Sequence, residues 1–216
     1  MSDALIKNLV EAEDDSEEKV FAAQDELLQR VIKLYIPEGR FGWDSTYGKG
    51  GFYRSGVIPT PAFRSDLSPR ADYDSTFPAQ WDCRHHLPGG IPLQASIIFD
   101  PPFLHACGKE SVMGKQFGSY KSQVDLRAMY YASMNNFYST LQPNGILIFK
   151  CQDTVEAGKQ QMTHCYVWQM ALHIGFIIED LFILTTKKCM VGWNHHNQKH
   201  SRKLCCYFWI MRKPKH

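Results

Sequence analysis

Apolar positions in this chain alternate between a helical and a strand-like period. Val20, Leu27, Leu28, Val31 and Leu34 recur at helical spacing, which predicts an amphipathic helix from about Glu17 to Tyr35. Ser16 stands before it, and Pro37 and Gly39 stop it. Short apolar runs follow. Arg40–Asp44 is a strand candidate, Ala62–Ser65 a weak strand ending at Asp66, and Ala79–Trp81 a weak strand ending at Asp82. Ala95–Phe99 is a clear buried strand ending at Asp100. Residues 53–61 suit a short helix or a loop, and 68–78 are rich in turn formers. Further on, Val124–Leu141 and Gln160–Ile174 predict helices, the second ended by Gly175. Between them lie a Pro143-Asn144-Gly145 turn and a central strand, Ile146–Lys150. Two last strands, Phe176–Leu184 and Cys205–Met211, suggest an antiparallel hairpin. The alternation predicts an α/β sheet.

Composition adds little to this but excludes several classes. At 216 residues the chain can bury one full core, and no apolar run approaches the ~20 residues of a membrane span. Residues 1–16 are polar and acidic and predict a flexible arm or a short first helix, with residues 17–216 as one domain. The net charge is only +2, so the molecule as a whole is no polycation. Charge is nonetheless polarised. Acids crowd the first residues, and Lys187, Lys188, Lys199, Arg202, Lys203, Arg212, Lys213 and Lys215 crowd the last. That asymmetry suits a polyanion contact near the C-terminal part, and equally a solvated rim with a basic tail. Seven cysteines, with no CxxC pair and no signal peptide, fit a reducing cytosol.

The chemistry gathers where strands end. Asp44, Asp66, Asp82 and Asp100 each close a predicted strand, and ligands of doubly wound sheets sit beyond such ends. Asp44 leads into Ser45-Thr46-Tyr47-Gly48-Lys49-Gly50-Gly51-Phe52, whose glycines allow positive φ and close approach to a ligand. This is neither GxGxxG nor GxxxxGK[ST], so a nucleoside triphosphate site is poorly supported. Asp100-Pro101-Pro102-Phe103 is more telling. Two prolines cannot continue a central ladder, so they force a rigid corner that fixes a carboxylate and a backbone carbonyl. An exocyclic amine has two N–H donors and needs two such acceptors, and Phe103 offers a ring for a base to stack on.

These motifs resemble those of class I S-adenosylmethionine-dependent amino-methyltransferases, in particular the DNA adenine N6 enzymes. Their signature Asp-Pro-Pro-[Tyr/Phe/Trp] matches Asp100–Phe103. The loop at 44–52 resembles the "TYGxGGF" cofactor motif of small bacterial and phage methylases. In that group, strands like Ile146–Asp153 and Tyr207–Ile210 also occur. Ser45 stands where DNA-modifying enzymes often have Pro. The resemblance covers about Glu38 to Arg212. It implies a single Rossmann-like methyltransferase domain, with a mostly parallel seven-stranded sheet, a C-terminal antiparallel hairpin and helices on both faces. It implies S-adenosylmethionine as cofactor. Asp44 and Gly48 would lie near its methionine part and ribose, Asp66 at the ribose hydroxyls and Asp82 at its adenine amine. Thr46, Tyr47, Gly50, Gly51 and Cys83 complete the expected cofactor set. Asp100, Pro101, Pro102 and Phe103 would hold the target base for direct in-line transfer, with the base flipped out or single-stranded.

Substrate contacts are expected from two loops, 104–122 with Lys109 and Lys115, and 185–203 with Lys187, Lys188, Trp193, Lys199 and Arg202. The second loop also reads as a solvated hairpin tip. Cys189, His195, His196 and His200 lack the tight spacing of metal fingers, so no metal is expected. Tyr130-Tyr131 reads as core and helix packing. The expected partner is nucleic acid, DNA ahead of RNA, with a specificity-supplying protein or a second copy of the chain as further partners, in the cytoplasm (nucleoid or virus-infected host). The competing functions are an RNA base methyltransferase and a catalytically idle subunit of a methyltransferase complex.

Overall fold

The computed structural model describes residues 18–69, 80–86, 92–104, 120–156, 158–185 and 203–215. Among them lie nine strands and three helices. In chain order they are β1 (Val20–Phe21), α1 (Gln24–Tyr35), β2 (Trp43–Asp44), β3 (Phe63–Arg64), β4 (Gln94–Phe99), α2 (Gln123–Thr140), β5 (Leu141–Gln152), β6 (Thr154–Glu156), β7 (Lys159–Gln161), α3 (Thr163–Ile174), β8 (Ile177–Thr185) and β9 (Cys205–Arg212). Seven strands form one sheet in the order β1-β8-β9-β5-β4-β2-β3, and β6 and β7 pair separately as a hairpin. β2, β3, β4 and β5 run parallel, as do β1 and β8. Strand β9 is antiparallel to both β5 and β8 and sits between them. None of the described helices is long and apolar enough to cross a membrane.

Strand periodicity builds two cores. Ile97 and Phe99 of β4, Leu147, Phe149 and Cys151 of β5, and Trp209 and Met211 of β9 face α2 and α3. The alternate residues Ile98, Ile146, Ile148, Phe208 and Ile210 face the other way, where Leu27, Leu28 and Val31 of α1 cover them. The expected helices on both faces are therefore present. Helix α2 is N-capped by Ser122, whose side chain accepts from the Asp125 N–H, and α3 ends at Gly175 with φ of 108°.

Four elements differ from the sequence expectation. The first helix starts at Gln24, because Val20 and Phe21 are taken into the sheet beside Ile183 and Leu184. Pro143-Asn144-Gly145 turns as expected, with Asn144 at φ 64°, but it does so inside β5, where the pairing with β4 shifts register between Gln94 and Ser96. The last helix starts at Thr163, since Thr154–Glu156 and Lys159–Gln161 pair as the β6–β7 hairpin. The strand expected at Ala79–Trp81 reduces, among the described residues, to a bridge between Asp66 and Gln80. The arm at 1–16 and the loop residues 105–119 and 186–202 lie outside the described residues.

Candidate active site

The parallel strands deliver Asp44, Asp66 and Asp100 to one edge of the sheet. Trp43 and Asp44 pair with Ile97 and Ile98, so the glycine turn starts beside the last residues of β4. The Ser45 N–H and hydroxyl both donate to the Ile98 carbonyl. The Asp100 N–H donates to Thr46 Oγ1 at 2.7 Å. That bond ties the Pro-Pro corner directly to the glycine turn.

The turn itself is held from inside. Asp44 is buried, and its carboxylate accepts from the Thr46 N–H at 3.0 Å and the Tyr53 hydroxyl at 2.8 Å. Burial pushes its carboxyl from 3.8 up to about 7, against the two hydrogen bonds, and the charges of Asp100 and Asp66 push the same way. Tyr53 stacks on Tyr47 with centroids 5.3 Å apart, and Arg64 lies 5.5 Å from the Tyr47 ring centre. Gly50 has φ 67°, and a Cβ there would stand 2.9 Å from the Tyr47 hydroxyl, so both the backbone and the space require glycine. Gly48, at φ 53°, donates its N–H to Asp66 Oδ2 at 3.0 Å. Ser68 N–H donates to the other Asp66 oxygen, and burial still keeps this carboxyl above its usual value.

A small cleft of about 60 Å³, partly open to solvent, joins these parts. Its walls include Ser45, Thr46, Asp66, Trp81, Asp82, Cys83, Asp100, Pro101 and Pro102. Asp82 binds the Arg84 guanidinium through both oxygens. Burial raises the Asp82 carboxyl, but the bonds and charge from Arg84 outweigh it and leave it below the usual range. The cleft thus brings Thr46, Asp66, Asp82, Cys83, Asp100, Pro101 and Pro102 together. Asp44 is turned inward, and Tyr47, Gly48, Gly50 and Gly51 shape the turn behind the wall. The Phe103 ring lies beside Lys150, 5.7 Å from its ammonium. Lys109, Lys115, Lys187, Lys188, Trp193, Lys199 and Arg202 lie outside the described residues, as do Cys189, His195, His196 and His200.

Helix α2 anchors two walls of the cleft from one face. The Tyr130 hydroxyl donates to the Pro102 carbonyl at 2.6 Å. Ser133 Oγ donates to Cys83 Sγ at 3.1 Å, and Asn136 donates to the Cys83 carbonyl at 2.9 Å. Burial pushes the Cys83 thiol up to about 12, so it is a protonated packing group. Tyr130, read from the sequence as core, is core and also fixes the corner. Tyr53 and Lys150 were not marked by the sequence reading at all. Lys150 donates to Asp100 Oδ2 at 2.9 Å, and the only sequence signal for it was a lysine closing an otherwise apolar strand.

A cationic ligand with polar ends fits this donor set. The cleft edge is rich in carboxylates, and among the described residues Trp81 Nε1 is the buried side-chain nitrogen or oxygen left with no hydrogen-bond partner in the protein. A ligand acceptor in the cleft would relieve its cost.

No protein-family model matches the chain, and no curated protein sequence does either. Solved structures do. N-methyltransferase NodS from Bradyrhizobium japonicum WM9, in complex with S-adenosyl-L-homocysteine, superposes with a TM-score of 0.51 at 15% identity, over 88% of this chain and 86% of NodS. TrmN from Thermus thermophilus superposes with a TM-score of 0.50 at 17% identity, over 88% of this chain and 48% of TrmN. The chain thus spans about half the length of TrmN. These likenesses show the fold: the chain shares the α/β fold of NodS and TrmN.

Proposed function

We propose that the chain is an S-adenosylmethionine-dependent methyltransferase acting on an exocyclic amine of a nucleobase, adenine N6 in DNA before others. The observation that carries this is the single cleft shared by the Asp100-Pro101-Pro102 corner and the glycine turn, with Thr46 bonded to Asp100. The cofactor would be held by Thr46, Asp66, Asp82 and Cys83, with Asp44, Tyr47, Gly48, Gly50 and Gly51 keeping the turn in shape. When bound, it supplies an electrophilic methyl group on a sulfonium, and the carboxylates around the cleft favour that positive charge.

The corner's work is positioning. Asp100 accepts one N–H of the target amine. The Pro102 carbonyl is already engaged by Tyr130, so the second N–H is assigned to the Pro101 carbonyl. Two acceptors fix the amine lone pair in line, and such orientation can supply up to about 7–11 kcal/mol. No strong base is needed, because the amine becomes acidic only as it gains the methyl. Phe103 offers its ring to the base. Lys109, Lys115, Lys187, Lys188, Trp193, Lys199 and Arg202 would meet the backbone and unstacked bases of the nucleic acid. A specificity-supplying partner protein or a second copy of the chain would complete target choice.

The test is to incubate the protein with labelled cofactor and single-stranded DNA, duplex DNA or RNA, then identify the modified nucleoside by mass spectrometry. N6-methyladenine in DNA, lost in Asp100→Ala, is expected. Label in RNA alone moves the substrate, and label on protein alone or on nothing refutes the proposal.

A further inference from the structure

Lys150 is placed where a structural residue would be apolar. Phe99 of β4 pairs with Phe149 of β5, so Asp100, the first residue past β4, stands level with Lys150, which is still inside β5. Alternation turns Lys150 to the α1 side of the sheet with Ile146 and Ile148. There its ammonium lies 5.0 Å, 5.7 Å and 5.6 Å from the ring centres of Phe52, Phe103 and Phe208. The side chain is only 12% exposed, and it bonds Asp100 Oδ2 at 2.9 Å. A shielded ion pair rarely stabilises a fold better than an apolar side chain of similar size. Three rings around this position would accept a methionine. The ammonium is therefore best explained by what it does to Asp100.

We propose that Lys150 is a positioning residue that fixes the Asp100 carboxylate for the target amine, an inference that rests on the methyltransferase function proposed above. Thr46 holds the backbone of Asp100, and Lys150 holds one carboxylate oxygen. The side chain cannot then rotate away, and Oδ1 is the oxygen left to the amine. Lys150 acts through Asp100 and does not touch the base amine. Its neighbours Phe103 and Phe52 belong to the corner and the glycine turn, so the same ammonium also keeps these two loops in register.

A double-mutant cycle tests this. Lys150→Met, Asp100→Asn and the double variant are compared on a single-stranded oligodeoxynucleotide and an oligoribonucleotide of the same sequence, with S-adenosylhomocysteine affinity measured in parallel. Lys150→Met should lower kcat by about 10- to 100-fold while product affinity stays within about twofold. In the Asp100→Asn background the same substitution should change little. An equal loss in both backgrounds, or a matching loss of product affinity, overturns the positioning role. Should Lys150→Met fail to fold, Lys150→Gln goes through the same cycle. The cycle is also read by urea unfolding without cofactor, where zero coupling between the two positions overturns the pairing. A wild-type protein inactive on both nucleic acids overturns the function and this role together. An active wild type with an additive cycle overturns the role alone.

Discussion

Asp44→Asn separates the turn's internal carboxylate from every other titrating group. Asp44 is 1% exposed, and its burial raises the carboxyl from 3.8 to about 7. The folded protein therefore keeps a proton that the unfolded chain has lost. The group's favourable contribution is fully present below about pH 4 and is lost as pH rises through about 7. The gap between 3.8 and about 7 corresponds to about 4 kcal/mol in all. Roughly 2 kcal/mol of that falls between about pH 5 and pH 7. Asparagine keeps the shape and the bond from the Thr46 N–H, and the Tyr53 hydroxyl can turn to accept from the new amide. It does not titrate. The stability of Asp44→Asn relative to wild type should then rise by roughly 2 kcal/mol from about pH 5 to pH 7. Urea unfolding at a series of pH values, with slopes checked for constancy, measures the difference. A difference that is flat with pH, or that shrinks as pH rises, refutes the account of Asp44 as an acid destabilised by burial.

Three further substitutions follow from the site. Thr46→Val leaves the Asp100 N–H without its acceptor and should cost about 1–3 kcal/mol, and methyl transfer should fall more than cofactor affinity in parallel assays of both. Tyr130→Phe removes the bond to the Pro102 carbonyl and should cost about 1 kcal/mol in urea unfolding; an unchanged midpoint would show that the corner holds itself. Gly50→Ala meets both a positive φ and the Tyr47 hydroxyl, and should lower stability by about 1–3 kcal/mol. Gly51→Ala meets nothing within 4 Å and serves as its control.

The strand before the Asp100 corner and the corner itself were legible because they are local. Ala95–Phe99 is apolar but for Ser96 and is stopped by two prolines that cannot extend a ladder. Asp44 and Asp100, at the ends of β2 and β4, were legible for the same reason, since each follows a change in texture. What the sequence hid depends on pairing between distant segments. Val20 and Phe21 look like the first turn of a helix until Ile183 and Leu184 are beside them. The β6–β7 strands are mostly polar, and Gln123 and Arg127 of α2 hold them through Thr154 and Gln161. Lys150 carries only the local mark of a lysine after an apolar run, and Tyr53 carries none. Their importance lies in partners 50 and 9 positions away, which only the fold brings near.

Strand β9 joins the two halves of the sheet. Among the described strands, β8 and β1 are hydrogen-bonded to the parallel block through β9 alone, since β8 pairs with β9 and β1 but not with β5. As the chain leaves the ribosome, everything up to β8 is made while one flank of β5 still shows bare amides and carbonyls. That flank belongs to the strand carrying Ile146–Phe149, an apolar template ready to recruit any passing strand. This sheet therefore closes only when β9, the latest of its described strands in chain order, is in place, and a delay between synthesis of β8 and of β9 lengthens the time in which newborn molecules can stick to one another.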